Sequence, residues 1–472
     1  MAAKRLAVAR QRVYVPARIF FLLAITGPEG RERRTMKIST YALAVALSGL
    51  TLPSAAVSQP IEQTKNTQTT IRGQSGSAAS KSQQKETEQQ SVDKLSTGRK
   101  LDLSKEARNA IVALQTAVNA NDTATIPAKL TAAQAVAKNA DDKYIIAVLQ
   151  TKAATAASDF AGMRVGIDAL RASGGADPAD LASRYNNLGK RLYDAKQLDQ
   201  AAAAFEQTLT VDANNTDALK MLASTRETQG RGADAATLMA KSIAVSKAAG
   251  TKPKENDYKF AAKVAYNAKA PVAGDITRAW LADYPSPTNW RDALRIYRDV
   301  NGLEGETKID VMRLARAANA LNGEGDYFGY VSELITRGYL NEAKAVIDEG
   351  GAKKAIDVNK NAFKQYAPKL ARAPSRTVID AAAKAALAGN SGKSAMEAGD
   401  TLYGVGAFAE AAPLYKAAAA KGGVDTNVVN LHLGMALARS GDKAGATAAL
   451  NAVTGPQANI AKYWLIWINA QA

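Results

Sequence analysis

The chain predicts an all-α fold, an α-solenoid of stacked antiparallel helix pairs finished by a C-terminal capping helix. Three observations carry that expectation. Apolar residues fill 47% of the 472 positions while aromatic ones reach only 6%, so the core must be built largely from Ala, Leu, Val and Ile. Alanine that abundant favours close helix packing over sheets. No run between residues 101 and 250 alternates with period two, as a half-buried strand would. Finally, residues 182–215, ASRYNNLGKRLYDAKQLDQAAAAFEQTLTVDANN, read as two short amphipathic helices in contact, and their pattern returns further along the chain.

From the start of the chain, residues 1–35 carry Lys4, Arg5, Arg10, Arg12, Arg18, Arg31, Arg33 and Arg34 against Glu29 and Glu32, with an apolar patch at Ile19–Ile25. They read as an upstream extension, the other reading being a long targeting segment or an anchor. Met36 opens MKISTYALAVALSGLTLPSAAVSQP, with a short basic start, an apolar run from Tyr41 to Leu52, and small residues at Ala56 and Ser58. Those are the parts of a secretory signal peptide over 36–58, and they imply a periplasmic or otherwise exported protein. The apolar run is too short and Ala-rich for a transmembrane helix, so no span is expected in the mature chain. Residues 59–100, rich in Gln, Ser, Thr and Lys and without an aromatic residue, cannot bury enough apolar surface to offset chain ordering, and are expected to be a disordered linker.

From residue 101 helices follow almost without interruption. Ala107, Ile111, Leu114 and Val118 share one face, Asn121-Asp122 supplies a turn, and Pro127 stands where a first helical turn tolerates it. Asp141 is expected to cap a helix carrying Tyr144, Ile145, Val148 and Leu149. Its partner holds Phe160, Met163, Ile167 and Leu170 and ends at Gly174-Gly175. In 182–215, Tyr185, Leu188, Gly189 and Leu192 lie on one face of the first helix, and Ala201, Phe205 and Thr208 on one face of the second. Moving one period of about 34 residues takes Leu188 to Leu222, Gly189 to Ala223, Ala201 to Ala235, Phe205 to Met239 and Thr208 to Ser242. Gly399, Leu402, Ala411, Tyr415 and Ala418 repeat the set near the C-terminus, and Leu433, Gly434, Leu437, Ala446, Leu450 and Val453 repeat it once more.

On those residues the chain resembles the tetratricopeptide repeat, in which small side chains let two helices approach and larger apolar ones fill the space between. Tyr185 or Leu219 stands where the family usually has Trp, and Ala213 where it has Pro. The specific motif covers roughly a third of the chain. Residues 101–250 form the N-terminal repeats. Residues 251–390 form helical hairpins of irregular length, with Pro285-Ser286-Pro287 as a kink or a boundary across which the paired order continues. Residues 391–472 hold the last repeats and a closing helix with Ile460, Tyr463, Trp464 and Trp467 on one face. That helix is expected to cap the exposed end of the array, the other reading being an aromatic docking surface.

Chemistry is narrowly bounded. With no cysteine and one histidine, His432, disulfides, thiol nucleophiles and thiolate metal sites are excluded, and zinc and Ser-His catalysis nearly so. Gly389-Asn390-Ser391-Gly392-Lys393-Ser394 resembles a phosphate loop, but Leu387 stands at the required first glycine and a helix precedes it. No catalytic residue, cofactor or metal is expected. The formal charge of +17 falls to +10 beyond Lys37 and is mixed with Asp and Glu throughout, which reads as solvated surface and not as a nucleic-acid face.

What remains is a surface. The tetratricopeptide resemblance implies a concave groove lined by positions two, five, nine and twelve of each first helix. Those are Ser183, Asn186, Lys190 and Tyr193 in one copy and Asp217, Lys220, Ser224 and Glu227 in the next. Asn186, Lys190, Tyr193, Lys220 and Glu227 are therefore the candidate peptide-binding residues, an amide and a cation at neighbouring places suiting a peptide backbone or a terminal carboxylate. In the last repeat Val428, Leu431 and Met435 stand there instead, so the terminal helix is expected to fill that part. The expected function is an exported scaffold that holds a protein or peptide in the bacterial cell envelope. The alternative is an envelope polysaccharide-binding module or enzyme in 251–390, where Tyr284, Trp290, Tyr297, Tyr327, Tyr330 and Tyr339 could stack on sugars.

Overall fold

The computed structural model describes residues 101–471, and every regular element among them is helical. The upstream extension, signal-like segment and Gln/Ser-rich linker at 1–35, 36–58 and 59–100 lie outside the described residues. The helices pair in chain order: α1 (Lys105–Asn119) with α2 (Ile126–Val136), α3 (Ala140–Ala156) with α4 (Phe160–Ala172), α5 (Pro178–Asp194) with α6 (Leu198–Val211), and α7 (Thr216–Thr228) with α8 (Gly232–Ala248). The pairing continues through α9 (Glu255–Asn267) and α10 (Ala273–Asp283), α11 (Pro287–Val300) and α12 (Gly305–Ala317), and α13 (Gly323–Arg337) and α14 (Leu340–Ala352). Two single-turn helices, α15 (Asn361–Lys364) and α16 (Ala367–Leu370), and α17 (Arg376–Ala388) lead to α18 (Gly392–Gly404) with α19 (Phe408–Lys421), α20 (Thr426–Ser440) with α21 (Lys443–Asn451), and the closing α22 (Ala458–Ala470).

Local chemistry sets the boundaries. Ser104, Asp177, Asn215, Ser286, Ser391, Asp425 and Asp442 each accept a backbone N–H in the first turn of the helix that follows, satisfying a donor that the helix cannot. The start of α3 differs from the expectation. Asn139, not Asp141, is the cap, and it shares a capping box with Asp142. Asp142 is wholly buried because it also accepts the Ser104 hydroxyl at 2.6 Å and the Lys138 N–H at 2.9 Å, tying α3 to the start of α1. Pro285-Ser286-Pro287 is only the turn between α10 and α11, with Ser286 as cap and Pro287 in the first turn.

Turns within pairs use one residue in the left-handed region. Lys196 (φ 62°) closes α5, and Gly230 (φ 77°) stands one period later at the end of α7. Glycine adopts that geometry freely, whereas a lysine there carries about 1–2 kcal/mol of strain.

Inside each pair the small residue has a direct steric purpose. A Cβ placed on Gly189 would lie 2.6 Å from Phe205 Cε1, one on Gly399 2.8 Å from Tyr415 Cε1, and one on Gly434 2.5 Å from Leu450 Cγ. The missing side chain on the first helix is therefore the space that the large side chain of the second helix occupies. Because Phe205, Tyr415 and Leu450 are almost wholly buried, the sequence pattern of small and large residues is the packing pattern itself.

The array does not run on as a simple stack. One core joins Leu101 to Leu222, a second runs from Ala223 to Ile468, and a third, smaller one gathers Ile309, Tyr327, Tyr330, Val346 and Phe363 of α12 to α15. The second is continuous because α22 returns to α10 and α11. The Tyr463 hydroxyl lies 2.6 Å from Thr277 Oγ1, its ring centroid stands 5.0 Å from that of Tyr297, and the Arg278 guanidinium lies over it at 5.4 Å. Tyr463 and Trp464 are fully buried, so α22 is a cap, and it covers the middle of the array as well as the last repeat.

Candidate binding groove

Tyr185 on α5, Leu219 on α7, Tyr258 on α9 and Trp290 on α11 are all buried at the same place in their pairs, which fixes the register of the faces they leave outward. Asn186 and Lys190 on α5 both reach Asp217 on α7. Asn186 Nδ2 donates to Asp217 Oδ2 at 2.6 Å, and Lys190 Nζ stands 2.6 Å from the same oxygen. Burial pushes the Asp217 carboxyl up, but the bonds from Lys190 and Asn186 outweigh it and hold the group below its ordinary value. Lys220 repeats the arrangement one helix on, with its Nζ 2.6 Å from Asp257 Oδ2. Tyr193 is half-buried with the Lys196 ammonium 5.6 Å from its ring centroid, and Glu227 is exposed.

Three of the five candidate residues, Asn186, Lys190 and Lys220, are thus rungs joining successive first helices. Their cations are already answered by carboxylates that the sequence pattern did not pair with them. Asn186 is nine-tenths buried, and its Oδ1 has no hydrogen-bond partner among the described residues. A buried amide oxygen left unpaired costs about 1–3 kcal/mol.

The same register extends the groove beyond the two copies legible in the sequence. Positions five, nine and twelve are Lys259, Lys263 and Tyr266 on α9 and Arg291, Arg295 and Arg298 on α11. The three arginines line a cleft of about 730 Å³ whose other walls are Lys308, Val311, Met312 and Ala315 of α12 and Gly325, Asp326 and Gly329 of α13. The aromatic residues considered for sugar stacking do not form such a wall. Trp290, Tyr297, Tyr327 and Tyr330 are buried, and Tyr284 donates its hydroxyl to the Pro253 carbonyl at 2.9 Å.

At the C-terminal repeats positions nine and twelve of α18 and five and nine of α20 are closed, while Lys393, Met396 and Val428 at other equivalent positions stay at least partly exposed. Asp400 and Tyr403 of α18 and Leu431 and Met435 of α20 are buried. The terminal helix shares in that burial, but the polar part of it comes from α12 and α14. His432 lies between two carboxylates, its Nδ1 2.7 Å from Asp400 Oδ1 and its Nε2 3.1 Å from Asp310 Oδ1. Arg313, one of the largest fully buried side chains, donates to Glu342 at 2.8 Å and to Asp310 at 3.2 Å. Tyr330 donates to Glu342 at 2.6 Å, and Tyr415 to Asp400 at 2.9 Å. Nothing in the spacing of these residues foretold the cluster; the one hint was Asp310 and Arg313 interrupting the apolar face of Ile309, Val311 and Leu314.

Burial alone would push the His432 imidazole down, but Asp310 and Asp400 overcome it and raise the group to about 10. The ring is a packed cation with no open space beside it, and it can fix geometry but not exchange protons with a substrate. Among the described residues no group of three or more His, Asp or Glu side chains could hold a metal ion, and no helix is long and apolar enough to cross a membrane.

A pH dependence follows. The folded value of about 10 exceeds the 6.5 or so of an unfolded histidine, so the folded state holds a proton that the unfolded chain has lost. The contribution is whole below about pH 6.5 and fades as pH rises through about 10, amounting to a few kcal/mol at most. Urea midpoints recorded from pH 6 to 9.5 should fall, and His432→Gln should flatten the decline. The groups facing His432 are Asp310 of α12, whose Oδ1 it shares with Arg313, Asp400 of α18 and Tyr415 of α19. An identical slope in the variant would mean that others titrate instead.

Comparison with known proteins agrees with the packing. A tetratricopeptide repeat model matches residues 186–250 and 396–459. No curated protein matches the chain. A solved structure described as "Functional Characterization of Pseudomonas Aeruginosa pilF" is similar over 56% of this chain and 98% of that one, at 12% identity and a TM-score of 0.22, a likeness too slight to carry further inference.

Proposed function

We propose, on the premise that this chain carries tetratricopeptide repeats, that it is a scaffold exported to the bacterial cell envelope which holds a segment of a protein partner in the groove of α5, α7, α9 and α11. Tetratricopeptide repeats mark a protein–protein interaction scaffold. The reading of where the partner sits rests on one contrast. Groove positions such as Lys190, Tyr193, Lys220, Glu227 and Lys263 remain at least partly exposed, whereas Asp400, Tyr403, Leu431 and Met435 at the matching C-terminal places are buried by the chain itself.

Export is supported by the signal-like segment beginning at Met36. N-terminal sequencing of protein recovered from the periplasm should find a start after Ala56 or Ser58; protein confined to the cytoplasm with residues 36–58 intact would remove the envelope assignment. For the groove, a photocrosslinking residue at Glu227 in intact cells should capture a protein. The same group at Val165, which is 55% exposed on α4 outside the first-helix groove, should capture none. Equal capture at both positions would retire the groove.

Replacing Lys190 and Lys220 together by Gln tests the rungs. Ion pairs this exposed contribute about 0–1 kcal/mol each, so melting should shift by no more than a few degrees while partner capture falls. Undiminished capture would show that the partner does not use these positions.

A further inference from the structure

The groove changes character along its length. Between α5, α7 and α9 each cation is held by a carboxylate on the next helix, at 2.6 Å for both Lys190 and Lys220. On α9 and α11 the arrangement differs. Lys263 has no ion-pair partner among the described residues, and Arg291, Arg295 and Arg298 share only two carboxylates of their own helix. Asp292 stands 3.4 Å from Arg291 and 3.9 Å from Arg295, and Asp299 stands 2.9 Å from Arg298. Such partly exposed contacts between near neighbours on one helix are weak and readily exchanged.

Two further acids stand on the rim of the cleft. Glu304 immediately precedes α12 without a side-chain hydrogen bond to it, and Asp326 in the first turn of α13 accepts the Asn322 N–H at 3.0 Å. Both therefore answer the positive ends of helices. Lys308 is answered by Glu333 at 3.2 Å. What remains is a row of cations one helical turn apart at positions five, nine and twelve of α11, met only by acids of their own helix and of the rim, with Lys263 at position nine of α9. Facing them, Gly325 leaves open space where a Cβ would stand, and Gly329 would meet only Met312 Cε at 3.8 Å.

We propose that the cleft of α11, α12 and α13 takes an acidic segment of the protein partner, its carboxylates on the arginine row and one apolar side chain over Gly325 and Gly329. The proposal rests on the groove being the partner site and adds the chemistry of what enters it. Three guanidiniums at i, i+4 and i+7 present forked donors along one line, which suits carboxylates spaced along a chain better than a single terminal charge. The apolar floor of Val311, Met312 and Ala315 distinguishes this cleft from a purely ionic surface, and favours a protein segment over a uniformly charged polymer.

The full chain should be titrated by fluorescence anisotropy with three labelled peptides: alternating Glu and Ala with one central Leu, and its Gln-for-Glu and Lys-for-Glu counterparts. The Glu peptide should bind at least about tenfold more tightly than either, and added salt should weaken it. Arg295→Gln with Arg298→Gln should weaken it about tenfold more. Gly329→Leu, which removes no charge and fills the open space, should weaken it as well, with circular dichroism and melting retained in both variants. Arg164→Gln with Lys416→Gln, exposed cations on second helices outside the groove, should leave it unchanged.

Equal binding of the Gln or Lys peptide, or indifference to the arginine and Gly329 variants, would overturn the proposal. So would heparin that competes fully and is equally indifferent to Gly329→Leu, since that marks a general polyanion surface. Capture of a partner from position 227 together with failure of the Glu peptide would sink the acidic preference alone. Loss of capture from position 227 would sink the groove itself.

Discussion

Replacing Phe205 by alanine is expected to destabilise the protein by about 3–5 kcal/mol. The ring is fully buried between α5 and α6 and fills the space that Gly189 leaves, so nothing short of moving a helix can close the hole that its removal makes. The change is felt on both sides of the pair, because Leu188, Leu192 and Ala201 belong to the same core. Urea denaturation followed by far-ultraviolet circular dichroism measures it. A loss below about 1 kcal/mol would mean that the ring is not the packing element of its repeat. The complementary change, Gly189→Leu, should be at least as damaging, since the new side chain must enter the volume of Phe205.

The same pair of residues explains how much of the fold was legible. Gly189 and Phe205 lie 16 positions apart and touch, and the relation between Gly399 and Tyr415 is the same. Contacts within a helix pair, and between one pair and the next, leave a periodic trace, which is why the α-solenoid and its repeats could be read directly. Capping was less secure. Asp141 and Asn139 are both good first-turn residues, and the choice of Asn139 depends on Asp142 being drawn into bonds with Ser104 and Lys138 from outside the helix.

Closure left no periodic trace at all. Tyr463 reaches Thr277 across 186 residues and His432 reaches Asp310 across 122, and no repeat spacing encodes either approach. The groove stands between these cases. Family positions located Asn186, Lys190 and Lys220, but their salt bridges depend on how one first helix is offset from the next. The α9 and α11 positions were hidden because the repeat interval lengthens there, from Leu219 to Tyr258, and only the burial of Tyr258 and Trp290 restores the register.

Arg313→Met should also cost about 3–5 kcal/mol, for an electrostatic reason and not a steric one. Methionine approximates the length of the arginine stem, so little volume is lost. What is lost is the cation between Glu342 and Asp310, both almost fully buried, with Asp400 also within its field. Desolvated carboxylates without a counter-charge must either take up protons or pull apart the helices that bury them. The pair replacement Arg313→Met with Glu342→Leu should regain much of the loss, since a buried ion pair exchanged for apolar groups of similar volume is often close to neutral.

Recovery in the double variant would separate the charge from the packing; equal damage in both would locate the effect in Tyr330 and the remaining partners of Glu342 instead. A single-variant cost below about 1 kcal/mol would mean that water reaches the cluster. The transition of the core that holds Arg313 should remain a single step in either variant. An open repeat array melts piecewise, because each unit touches only its neighbours. Here α12 and α14 lie against α18 and α20 while α22 returns to α10 and α11, so the core from Ala223 to Ile468 is closed by long-range contacts, and the smaller core of α12 to α15 is tied to it through Arg313 and Glu342, so that the two should be lost together. The N-terminal repeats, with the salt-bridged rungs at Lys190 and Lys220, have their own core outside that closure.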